Sequence, residues 1–124
     1  MVNEHLREAK ELYQKALKEF QKAKNKGDGA ILRDACAKGW LSAMEATYSF
    51  LVKKGIKEEE LPKTDKGRRY MVFKYAADEL RLLFLALRES LHIEGYYDGS
   101  LGFDETERCL GDSSLYIQKI EGLK

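Results

Sequence analysis

The sequence predicts an all-α fold: an antiparallel four-helix up-and-down bundle, with a short extra turn of helix in the 57–62 connection. Three observations predict it. Apolar residues recur at steps of three and four in four segments, which is the spacing of a helix face and not of a strand. The glycines cluster between those segments, and the single proline, Pro62, lies in a connection. At 124 residues, 44% hydrophobic and 35% charged, the chain suits one domain with its own core and is too apolar to be disordered. Short links between helices favour antiparallel neighbours.

The first helix is expected from about Asn3 to Asn25. Leu6, Ala9, Tyr13, Ala16, Phe20 and Ala23 share one face, Asn3 can cap the start, and Gly27 stops it. The second runs from Asp28, a second cap, to Lys54 before Gly55. Ala35, Gly39, Ala43 and Ala46 form a stripe of small residues suited to a close helix crossing, which accounts for a glycine that costs helix propensity. Glu58 to Leu61 supply the extra turn before Pro62, and Thr64 or Asp65 can cap the third helix. In that helix Tyr70, Phe73, Ala77, Leu80, Phe84, Leu87 and Leu91 alternate steps of three and four, with Leu82, Leu83 and Leu85 apolar off the seam. A helix apolar on more than one side is buried centrally or covered by a second subunit, so a homodimer is expected. It should end near Glu94-Gly95, leaving Tyr96 to Gly102 as a loop. The fourth helix starts at Phe103 or Asp104, with Asp104, Glu105 and Glu107 suiting its dipole.

Composition excludes several classes of function. Lys+Arg number 22 and Asp+Glu 21, a net charge of +1 that rules out a uniformly basic nucleic-acid coat. The charge is split, with +6 over residues 1–75 and −5 over 76–124. No apolar run is long enough for a membrane span, and the charged start lacks the apolar core of a signal peptide. Cys36 and Cys109 lie outside any CxxC and are expected reduced, so a cytoplasmic protein is expected. Amides are few beside Lys and Glu, as in thermophile proteins.

Chemistry-bearing motifs are sparse. His5 and His92 are the only histidines, too few for a Cys/His zinc site unless all four thiols and imidazoles converge, so no metal or other cofactor is expected. Glu89-Ser90-Leu91-His92 has the Glu-x-x-His spacing of di-iron bundles, but the second copy is absent. Lys63, Lys66, Arg68, Arg69 and Lys74, with Tyr70 among them, form a basic cluster able to hold phosphates and stack a base, which makes RNA a candidate partner. Tyr96, Tyr97 and Asp98 offer flat amphipathic surface for a partner contact.

The long helices, and a leucine-rich third helix ending in Arg88-Glu89-Ser90-Leu91-His92 before Gly95-Tyr96-Tyr97, resemble the HEPN-like helical bundles, including their uncharacterised archaeal members. The resemblance implies a homodimeric accessory module beside a nucleotidyltransferase or in a toxin–antitoxin pair, or else a metal-independent ribonuclease. Active HEPN ribonucleases place four to six residues between an arginine and a histidine. Here Arg88 and His92, the candidate catalytic pair, have three between them, and Arg81 and His92 have ten. Arg88 and His92 share a helix face at i, i+4, so a dimer could bring two such pairs together with His92 as acid or base.

Overall fold

The computed structural model describes residues 3–123, whose regular structure is all helix, with no strand among them. Five α-helices are present: α1 Glu4–Lys26, α2 Gly29–Lys53, α3 Asp65–Tyr75, α4 Asp78–Leu87 and α5 Phe103–Glu121. The extra turn in the 57–62 connection is a 3-10 helix, Glu58–Glu60.

The helix starts follow local chemistry. Asn3 Oδ1 accepts from the amides of His5 and Leu6, and Asp28 Oδ1 accepts from those of Ala30 and Ile31. Thr64, rather than Asp65, caps α3 by accepting from Gly67 N. Gly27 ends α1 in the left-handed conformation at φ 63°, which an L side chain adopts only at a cost. The two-residue link at 27–28 folds α1 back along α2. Asn3 Nδ2 therefore reaches Ser49 O at one end of the pair, and Lys38 pairs with Glu19 nearer the link.

α2 is the central element. Twelve of its residues are buried, enough to place core contacts around most of its circumference. The small stripe is used as the sequence predicts: Ala35, Gly39, Ala43 and Ala46 are all buried. A Cβ on Gly39 would stand 2.7 Å from Leu110 Cδ2 and 3.1 Å from Leu91 Cδ1. Between α2 and α5 runs a buried polar ladder. Ser42 Oγ meets Ser113 Oγ at 2.9 Å, Thr47 Oγ1 meets Tyr116 Oη at 2.6 Å, and Cys36 Sγ lies 3.7 Å from Thr106 Oγ1. Each hydroxyl of the ladder is partnered, which is the condition for carrying polar groups inside an apolar core.

The expected single third helix is corrected in two ways. It breaks at Ala76-Ala77, both extended, so that α3 and α4 are separate and the count is five and not four. It also runs past Glu94-Gly95, because α4 passes directly into a π-helical segment, Arg88–Tyr97. The wider turn presses Gly95 onto α2, where a Cβ would fall 2.7 Å from Cys36 Sγ. Only glycine allows that approach. Tyr96 and Tyr97 therefore close a helix instead of lying in a loop. The α4 face is as predicted, with Leu80, Phe84, Leu87 and Leu91 all buried.

Candidate functional site

The start of the π segment meets the start of α3. Arg88 Nε and Nη2 donate to the two carboxylate oxygens of Asp65, each at 2.8 Å, and Arg69 Nε adds a third bond to Asp65 at 3.1 Å. This fork-to-fork pair is about three-quarters buried on each side. The Arg88 hydrogen bond, with smaller help from Arg69, holds the Asp65 carboxyl below the usual carboxylate range. The same contact raises Arg88, so both groups stay charged.

One turn on, His92 lies on the buried Trp40 ring, with centroids 5.1 Å apart and planes 18° from parallel. Tyr97 meets its other side edge-on at 4.9 Å. His92 and Tyr97 are five residues apart and adjacent, as the wider turn of a π segment allows. Neither ring nitrogen of His92 has a hydrogen-bond partner among the described residues. Burial lowers the His92 pKa. Arg88 and Arg68 lower it further, and Asp65 opposes them. The imidazole is therefore neutral at neutral pH, able to accept a proton or a hydrogen bond.

Arg68 closes the group. Its Nη1 donates to Tyr48 Oη at 3.2 Å, and Tyr48 Oη donates to Pro62 O. Arg68 Nε and Trp40 Nε1 are buried without a partner among the described residues. The result is an aromatic and arginine slot of Trp40, His92 and Tyr97 beside Arg68 and the Arg88–Asp65 clamp.

The predicted residues divide accordingly. Arg88 and His92 are brought to one place, but Arg88 is committed to Asp65. Of the basic cluster, Lys63, Lys66, Lys74 and Tyr70 are exposed, with Tyr70 62% open and Lys74 Nζ 5.9 Å from its ring centroid. Arg68 turns inward, whereas Arg69 is exposed with its Nε paired to Asp65. The Tyr96 and Tyr97 rings are 40% and 61% exposed, and Asp98 is exposed beside them. The carbonyl oxygens of both tyrosines are held by Arg33 of α2 at 2.7–3.0 Å. That grip satisfies acceptors left open at a helix end. No group of His, Cys, Asp and Glu suited to a metal ion occurs among the described residues.

The sequence did not signal a second histidine cluster. His5 places Nδ1 2.6 Å from Glu45 Oε2 and Nε2 2.7 Å from Glu58 Oε1, joining α1, α2 and the 3-10 turn. Burial opposes the charged ring, yet the hydrogen bonds to Glu45 and Glu58 outweigh it and hold the His5 pKa up. Asp65 as the partner of Arg88 was also missed, since 23 residues separate them. Its only local signal was a capping position.

No helix is long and apolar enough to cross a membrane among the described residues. No protein-family model matches the chain, and no curated protein is significantly similar to it.

Proposed function

We propose that this chain is a HEPN-like helical module that works as a homodimer and docks a second protein, without catalysis of its own. One observation carries the reading. On α3 and α4, the large side chains of Tyr70, Phe73 and Leu82 stand 62%, 52% and 65% open to water. Side chains of that size exposed on consecutive helices suit burial against another surface. The long helices α1, α2 and α5 and the α4–π rod support reading the chain as a helical bundle, with α3 as an added short helix. The commitment of Arg88 to Asp65 supports a structural and not a catalytic use of that arginine. By the resemblance, the second protein is of the nucleotidyltransferase or toxin–antitoxin class, met in the cytoplasm. The unpaired thiols of Cys36 and Cys109 accord with that compartment.

Sedimentation equilibrium tests the dimer. A dimer that Leu82→Asp and Phe73→Asp convert to folded monomer is expected. A monomer at high protein concentration refutes the reading.

A ribonuclease reading is favoured by one feature, the neutral His92 with open ring nitrogens beside Arg88. It requires RNA cleavage that disappears in His92→Ala. RNA binding through Lys63, Lys66, Lys74 and Tyr70 requires affinity that falls steeply with salt.

A further inference from the structure

The end of α2, the break between α3 and α4, and the last turn of α5 border a half-open cavity of about 340 Å³. It is remote in sequence from the His92 slot and shares none of that slot's residues. Phe50 and Leu80, both buried, and Tyr75 give it apolar walls, while Lys54, Gln118 and Lys119 supply its polar atoms. The volume is at the small end of ligand pockets, which run from about 300 to 1,000 Å³.

The cations around this cavity are not equivalent. Lys53 donates to the carbonyl oxygens of Ile120, Glu121 and Leu123, closing the α5 terminus. Lys119 is paired with Glu79. Lys54 has no carboxylate within ion-pairing reach among the described residues, and its Nζ lies 5.6 Å from the centroid of the Phe50 ring. Lys54 is exposed, so its ammonium stands at the water-facing rim of the cavity beside the Phe50 wall. Lining charge sums to +1, from Lys54, Lys119 and Glu79. That balance opposes a cationic ligand and favours an anionic one with its charge at the rim.

We propose that this cavity binds a small amphipathic anion, an aryl or medium-chain carboxylate, with its apolar part against Phe50 and Leu80 and its carboxylate on Lys54. Binding there joins α2, α4 and α5 at a point where the chain between α3 and α4 is extended.

Octanoate titrated into the full chain and followed by amide NMR tests it, with octylammonium as the charge-reversed probe. Saturable octanoate binding with Kd below about 1 mM is expected, with shifts centred on Phe50, Leu80 and Gly122. Octylammonium should bind at least about tenfold more weakly, and Lys54→Met should weaken octanoate about tenfold. Ala77→Trp fills the cavity from an exposed, extended position that accepts any L residue (φ −68°, ψ 161°), and should abolish binding. Any of four outcomes overturns the proposal: equal binding of the two probes, undiminished octanoate affinity in Lys54→Met, shifts centred elsewhere, or no saturation by about 10 mM.

Discussion

Replacing Arg88 by Met removes the guanidinium that ties the π segment to α3 while keeping much of the stem. Two charge-assisted hydrogen bonds at 2.8 Å are lost. Asp65 keeps one bond, to Arg69, and stays partly buried. Hydrogen bonds to charged groups contribute about 1.5–3 kcal/mol each when buried. Side chains about one-quarter exposed are partly screened, and the remaining Arg69 bond offsets some of the loss. We therefore expect Arg88→Met to destabilise by about 2 kcal/mol at pH 7. A double-mutant cycle with Asp65→Asn should give a coupling energy of about 1–2 kcal/mol. Urea titration followed by circular dichroism measures both. The pH dependence has a definite sign. Asp65 has a folded pKa below its unfolded value, so its contribution is present above about pH 4. It is lost as pH falls through the depressed folded value. The gap between wild type and Arg88→Met should therefore narrow in acid. The same variant should raise the His92 pKa, since Arg88 opposes imidazole protonation. A coupling below about 0.3 kcal/mol, within ordinary additivity error, or a gap that widens in acid, would refute the reasoning.

Three further outcomes are expected. Thr47→Val should cost about 1–3 kcal/mol in urea unfolding, because the Tyr116 hydroxyl loses its buried partner at 2.6 Å. Gly39→Ala should destabilise by about 1 kcal/mol, overpacking against Leu110 and Leu91 outweighing the propensity gained; unchanged stability would show that the leucines move aside freely. His5 has a folded pKa above its unfolded one, so its stabilising effect is full below about pH 6.5 and is lost as pH rises through the raised value. Wild-type stability should therefore decline from about pH 6 to pH 9 more steeply than that of His5→Gln, measured by urea midpoints at each pH.

What was legible in the sequence was local. Asn3, Gly27, Asp28, Thr64 and the Phe103 start are set by chemistry within one turn, and all stand where the spacing predicts. The break at Ala76-Ala77 was not, because alanine is the best helix former and carries no local stop signal. Its reason is tertiary. A straight helix would carry Tyr70, Phe73 and Ala77 along the Leu80–Leu91 seam, yet Tyr70 and Phe73 are exposed and Val72 is buried instead. The break resets the helical phase, so that Val72 is buried and Asp65 meets Arg88. The π segment escaped notice for a related reason. Leu87, Leu91 and Gly95 are spaced by four, which an α reading absorbs without remark. The Asp98 N to Ile93 O hydrogen bond and the His92–Tyr97 contact, both at i, i+5, mark the wider turn. At the candidate site, Arg88 and His92 were found by motif, but Trp40, Asp65 and Arg68 come from other elements and carry no sequence spacing that links them.

The central position of α2 has a consequence for synthesis. Its first partner, α1, is already outside the ribosome when α2 emerges, so that side is covered at once. Its other side presents Gly39, Ser42, Thr47 and Cys36 to partners in the π segment and α5. Those are completed only about 70 residues later. At roughly 5–20 residues per second, that side of α2 waits about 4–14 s for its cover. That side also carries Trp40 and Phe50, so the waiting hairpin exposes two large apolar rings until α4, the π segment and α5 cover them.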